Sequence, residues 1–131
     1  MERDFERFRG GPNEALSKRL HVTISPANLI LLNRNIYDQL GRPEAVHLGY
    51  SRERDIIAVE PASPRLSDSF PVIANPFNWR INADPFCRHF GIRIDTTLKF
   101  VRPEIIGNTL HLNLAETVSV GGRKRKKKDE R

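Results

Sequence analysis

The sequence predicts a mainly β protein with two short helices, organised as two similar strand-strand-helix-strand-strand units. Three observations predict it. Apolar residues recur with period two in short runs, as in Val22-Thr23-Ile24 and Val46-His47-Leu48-Gly49-Tyr50, which is the signature of half-buried strands. Two short helical stretches each close on a glycine, at Leu40-Gly41 and Phe90-Gly91. The stretches 22–41 and 72–91 also align without gaps at a spacing of fifty residues.

The elements follow in chain order. Val22 and Ile24 open the first strand, Pro26-Ala27-Asn28 reads as a turn, and Leu29-Ile30-Leu31-Leu32 has strand length. Asn33 is a good N-cap for a helix over 34–40 whose Ile36, Tyr37 and Leu40 share a face. Val46, Leu48 and Tyr50 then alternate, 51–55 forms a charged turn, and Ile57 and Val59 begin a strand that should stop at Pro61. The cluster of Pro, Ser and Asp over 62–69 reads as a linker between a first repeat at 20–61 and a second at 70–116.

In the second repeat Val72, Pro76, Asn78 and Gly91 are identical to Val22, Pro26, Asn28 and Gly41. The apolar positions correspond as well: Leu29 with Trp79, Leu31 with Ile81, Ile36 with Phe86, Tyr37 with Cys87, and Leu40 with Phe90. Leu98 and Phe100 stand for Val46 and Leu48, and Leu110 and Leu112 for Ile57 and Val59. On this alignment Leu29, Trp79, Ile36 and Phe86 belong to one core, Cys87 is a buried thiol, and Phe77, opposite Ala27, is the aromatic left exposed. Residues 1–19 form an arm containing Phe5 and Phe8, 20–120 a single domain, and 121–131 a disordered basic tail.

Two such units, each with a tight turn, a buried strand, one two-turn helix ending in Leu/Phe-Gly and a final hairpin, resemble a tandem swapped-hairpin protein of the bacterial AbrB-like family, in the arrangement of MraZ-like proteins. The resemblance covers about 20–116. It implies that the two units interlock around a pseudo-two-fold axis as a swapped-hairpin barrel, and that the protein is a DNA-binding regulator or an antitoxin that binds DNA and a protein partner. The basic turn entering the second strand of that family is replaced here by Ala27-Asn28 and Phe77-Asn78, and only Pro85 matches its helix-start proline. The arginines nearest the implied contact surface are Arg34 and Arg80, with Arg42, Arg88 and Arg93 further out; a solvated or ion-paired arginine is the alternative role of each.

Composition narrows the function. A chain of 131 residues holds one cysteine and four scattered histidines, so neither a disulfide nor a zinc site of ordinary spacing is predicted, and no cofactor. Cys87 and His89 lie two positions apart on one helix, about 200° around it, which separates the sole nucleophile from its nearest base. There is no Gly-rich phosphate loop between a strand and a helix, and an enzyme is not expected. No apolar run reaches about 18 residues and the first residues lack the basic-then-apolar pattern of a secretory leader, so neither a membrane span nor a leader is expected, and the expected compartment is the cytoplasm, without a membrane partner.

The net charge of +6 is unevenly placed. Residues 20–66 and 67–120 each hold five basic and five acidic side chains, whereas 121–131 hold seven basic and two acidic ones. Arg123, Lys124, Arg125, Lys126, Lys127 and Lys128 are consecutive, with no apolar residue to fold against. Such a run attracts a polyanion by counterion release, and nucleic acid, DNA foremost, is the expected partner. The leading reading is therefore a small DNA-binding regulator or nucleoid-associated protein, with Arg34, Arg80, Arg88 and the tail as contacts. The alternative is a protein-protein interaction module, antitoxin-like, whose tail keeps it soluble. Removal of the residues after Val120 is expected to abolish most non-specific duplex affinity, and the slope of log K against log salt, about −4 to −5 in the intact chain, should collapse. Binding that survives truncation with its slope intact would place the contact in the folded domain.

Overall fold

The computed structural model describes residues 20–120; the expected arm at 1–19 and tail at 121–131 lie outside the described residues. The chain is mainly strand, with two helices. The first half contains β1 (Val22–Ile24), β2 (Leu29–Leu32), α1 (Arg34–Gln39), β3 (Ala45–Ser51) and β4 (Ile56–Ala62). The second contains β5 (Phe70–Ala74), β6 (Trp79–Asn82), α2 (Asp84–Phe90), β7 (Leu98–Phe100), β8 (Glu104–Ile106), β9 (Thr109–Asn113) and β10 (Thr117–Ser119).

Both helices are stopped by the same chemistry. Gly41 and Gly91 adopt φ of 88° and 70°, a region closed to most side chains. Each glycine N–H returns to a carbonyl three residues back, Gly41 to Asp38 at 3.0 Å and Gly91 to Arg88 at 3.3 Å. The next N–H reaches one turn further, Arg42 to Tyr37 at 3.0 Å and Ile92 to Cys87 at 2.9 Å. The helix starts differ. Asn33 caps α1 through its side chain, which accepts from the Ile36 N–H at 3.2 Å, while Ala83 gives α2 no such cap and Pro85 sits in the first turn instead.

The strands form one antiparallel sheet in the order β10-β7-β1-β2-β6-β5-β3-β4-β9-β8. Its two ends belong together. β7 and β8 are separated only by 101–103, and β9 and β10 only by 114–116, so β10-β7 and β9-β8 are the two arms of one bent hairpin. Across the bend the Val101 N–H donates to the Glu116 carbonyl at 2.9 Å, and Arg102 grips both carboxylate oxygens of Glu116 at 3.0 and 3.2 Å. The sheet thereby curls in a barrel-like way around the core.

The pairings cross between the halves. β2 pairs with β6, β1 with β7, and β5 with β3, where Val46 faces Phe70. Directly opposed residues share a face, so Leu98, Ile24, Ile30, Ile81 and Val72 form one inward row across five strands. Leu48, Val59, Leu110 and Ile105 form its counterpart on β3, β4, β9 and β8. Ile36 and Leu40 from α1, and Phe86 and Cys87 from α2, join the same buried cluster. Each fully buried aliphatic chain contributes about 1.5–3 kcal/mol relative to exposure. The Tyr37 ring stacks on Trp79 with centroids 4.3 Å apart and planes at 12°, pinning α1 against β6.

Three expectations are corrected. The gapless alignment fails at the second strand: Ile30 and Leu32 are buried, and Leu29 and Leu31 stand on the opposite, outward face. Strand alternation explains this, since Ile30 opposes Ile81 and Leu32 opposes Trp79, and a shift of one residue exchanges the faces. The turn holds five residues between the paired Ile24 and Ile30 but four between Ala74 and Trp79, and Asn82 restores the count before α2. Second, β4 runs through Pro61 to Ala62. β9 pairs only as far as Val59, so beyond it β4 has one neighbour and a missing N–H is tolerated. Third, the final hairpin of the second half is broken into four short strands, with Pro103 in one break, and it extends to Ser119.

Truncation of Trp79 to alanine is expected to cost about 3 kcal/mol, the low end for aromatic truncations because the ring is only partly buried. A Tyr37/Trp79 double-mutant cycle should return about 0.5–1.5 kcal/mol of coupling. Ile73→Ala, at an exposed site, should stay within about 0.5 kcal/mol. Urea unfolding of the variants checks all three.

Candidate nucleic-acid interface

The outward faces of the sheet are set by the inward ones. Because Ile24, Ile30 and Ile81 face the core, their neighbours Thr23, Leu31 and Arg80 lie on the opposite side of the sheet, where Leu31 and Arg80 are partly exposed and Thr23 is buried. Registers then align Val118, Lys99, Thr23, Leu31, Arg80 and Ile73 in a single outward row across β10, β7, β1, β2, β6 and β5. Lys99 and Arg80 are three strand spacings apart, about 14 Å. Those six strands contain these two cations and no acidic residue, whereas β3, β4, β9 and β8 contain Glu60 and Glu104 and no Lys or Arg. The four-strand face also carries His47, opposite Glu60 and 3.1 Å from Asp68, and His111, opposite Glu104.

The arginines expected to make contacts are distributed differently. Arg80 is half-buried in the outward row, and Arg34 is exposed at the first residue of α1. Neither forms an ion pair with a described residue. Arg88 is exposed on α2, and its Nε donates to Asp84 at 2.8 Å. Arg42 pairs with Asp38 at 3.5 Å, and Arg93 is exposed. Among the described residues no hydrogen bond, ion pair or ring contact joins Arg34, Arg80 and Arg88 to one another. Arg123 to Lys128 lie outside the described residues. Lys99 was not singled out from sequence, since its place beside Arg80 depends on pairing between strands far apart in the chain. Phe77 is 90% exposed at the β5-β6 turn, as the alignment with Ala27 implies.

Asp84 is the centre of a polar lash between the halves. Asn28, at φ 66° in the β1-β2 turn, donates through Nδ2 to Asp84 at 2.8 Å and accepts the Ala83 N–H on its carbonyl at 2.9 Å. The Asn28 hydrogen bond holds the Asp84 carboxyl below its ordinary value of 3.8; partial burial opposes it, and Arg88 adds to the lowering. Beside this lash lies an open groove of about 290 Å³ lined by Asn28, Asp84, Arg88, Arg93 and Asp95 among others. Its two arginines and two aspartates sum to zero, so it offers no concentrated field to an anion.

Cys87 is fully buried, and burial, followed by the nearby Asp84 charge, pushes its thiol up to about 11. His89 is exposed and sits edge-on to Phe90 with centroids 4.7 Å apart. Among the described residues no group of three or more His, Cys, Asp or Glu side chains is placed to hold a metal ion, and no helix is long and apolar enough to cross a membrane. Comparison of the chain with family models, with curated proteins and with solved structures gave no match.

A carboxyl held low in the folded state stabilises it above the ordinary carboxyl range, and that contribution is lost as pH falls through the lowered value. Asp84→Asn is therefore expected to flatten the fall in Tm between about pH 5 and pH 2. A variant with the parental acid profile would show that the lash is not linked to folding.

Proposed function

We propose that this protein is a small cytoplasmic DNA-binding protein, a regulator or nucleoid-associated factor, built as a tandem swapped-hairpin barrel of the AbrB-like kind. The pairings favour that architecture: β1 lies against a strand of the second half and β5 against a strand of the first, the pattern that an exchange of hairpins between two units would produce. The helix-ending hydrogen bonds at Gly41 and Gly91, fifty residues apart, support a repeat, with the register offset at β2 and β6 as its irregularity.

The charge division of the sheet carries the functional reading. The six-strand face holds Lys99 and Arg80 without an acid, and the basic tail begins beside it. Val120, whose N–H donates to the Thr97 carbonyl at 2.9 Å, follows β10 directly, and only Gly121-Gly122 separate it from Arg123. In this reading the tail supplies sequence-independent affinity through phosphate contacts, while Lys99 and Arg80 orient the barrel on the backbone. Loss of each contact to phosphate removes about 0.9 from the salt slope. Lys99→Ala with Arg80→Ala should lower the slope by about 2, while Glu60→Gln with Glu104→Gln on the other face leaves it unchanged; filter binding across a salt series measures both. Equal effects from the two faces would end the assignment.

A second reading has its own support. Ile73 and Val118 in the same row are 42% and 49% exposed and Leu31 is partly exposed, a mixed apolar surface suited to a protein partner. An intact chain that binds neither duplex nor single strand at low salt would favour this antitoxin-like module.

A further inference from the structure

We infer that Phe77 is a base-stacking residue that takes an unpaired nucleotide, an assignment that rests on the nucleic-acid reading above. Its ring is 90% exposed, while the other exposed large apolar side chains lie between 38% and 57%. The turn that carries it is held from both sides. The Asn75 N–H donates to the Asn78 carbonyl at 2.8 Å, the Asn75 Nδ2 donates to the Asn78 Oδ1 at 2.8 Å, and Pro76 fixes φ immediately before the ring. The phenyl group is thus displayed on an ordered platform, and little further ordering of the backbone is needed on binding.

The surroundings decide the partner. A protein hot spot sits in a well-packed pocket ringed by contacts that exclude water, whereas Phe77 stands 90% exposed at the tip of a turn flanked by Asn75, Pro76 and Asn78. The hairpin from Phe70 to Asn82 holds one cation, Arg80, and no acid, so its charge complements a phosphate backbone. An exposed flat ring on a hairpin that also carries a cation fits a base face and the phosphate that accompanies it, and such stacking tolerates any base. Paired bases inside a duplex hide those faces, so the class of ligand is a single strand or a locally unstacked segment.

The test uses the full chain and an oligo(dT) containing one 2-aminopurine, whose fluorescence is quenched by stacking. Phe77→Ala and Phe77→Leu should each weaken binding about tenfold, abolish the protein-dependent quench and leave the salt slope unchanged, while Phe77→Trp retains both affinity and quench. Parental affinity in Phe77→Ala, or a Phe77→Leu that binds as well as Phe77→Trp, would overturn the inference. If the parent binds duplex but not the single strand, the stacking role falls and the DNA-binding reading stands. If it binds neither, both fall.

Discussion

The antiparallel ladder between β2 and β6 is the constraint on which the rest of the molecule depends. Four residues on each strand pair from Leu29-Asn82 to Leu32-Trp79, and the ladder fixes which side chains of both halves face the core. Without it each strand would present an unpaired row of N–H and C=O groups in the middle of the sheet, a cost that no side chain nearby could offset. The same ladder sets Ile30 against Ile81 at the centre of the inward row and Leu31 against Arg80 on the outward one. Core and surface are consequences of a single register.

Because the pairings cross between halves, the two halves share one core. β1 needs β7 and β5 needs β3, so the hydrophobic cluster closes only when residues from both ends of the domain meet. The turns of the first half also hold the helix of the second. Asn28 ties the start of α2, and Arg52 ties its end, with its guanidinium 5.4 Å from the Phe90 ring centre and a long 3.4 Å hydrogen bond to the Phe90 carbonyl. Contacts of such sequence separation place the protein among slower-folding topologies.

Electrostatics divides the molecule in a different way. The described domain is neutral in sum, yet its strands segregate charge between two groups, and residues 121–131 add +5 in sequence. Lys99 and Arg80, about 14 Å apart, are further from each other than the screening length of about 8 Å in physiological salt. At that distance their fields do not merge into one. The concentrated field belongs to the six consecutive cations of the tail.

Much of the local structure was legible because it depends on neighbours in sequence. Asn33 capping α1 and Gly41 and Gly91 stopping the helices each follow from turn chemistry within a few residues, while the buried Cys87 and the exposed Phe77 follow from their alignment with Tyr37 and Ala27. The faces of β2 were misread, because Leu29-Ile30-Leu31-Leu32 is apolar at every position and carries no alternation to read. Only pairing with β6 selects Ile30 and Leu32 for the core. The row that aligns Lys99 with Arg80, and the lash from Asn28 to Asp84, were equally hidden, since each joins residues whose separation in the chain leaves no local signature. The β-rich class, the helix ends and the charge of residues 121–131 are properties of short segments and can be read along the chain; which face each strand buries and which cations line up across it are set only by folding, because register is a relation between strands.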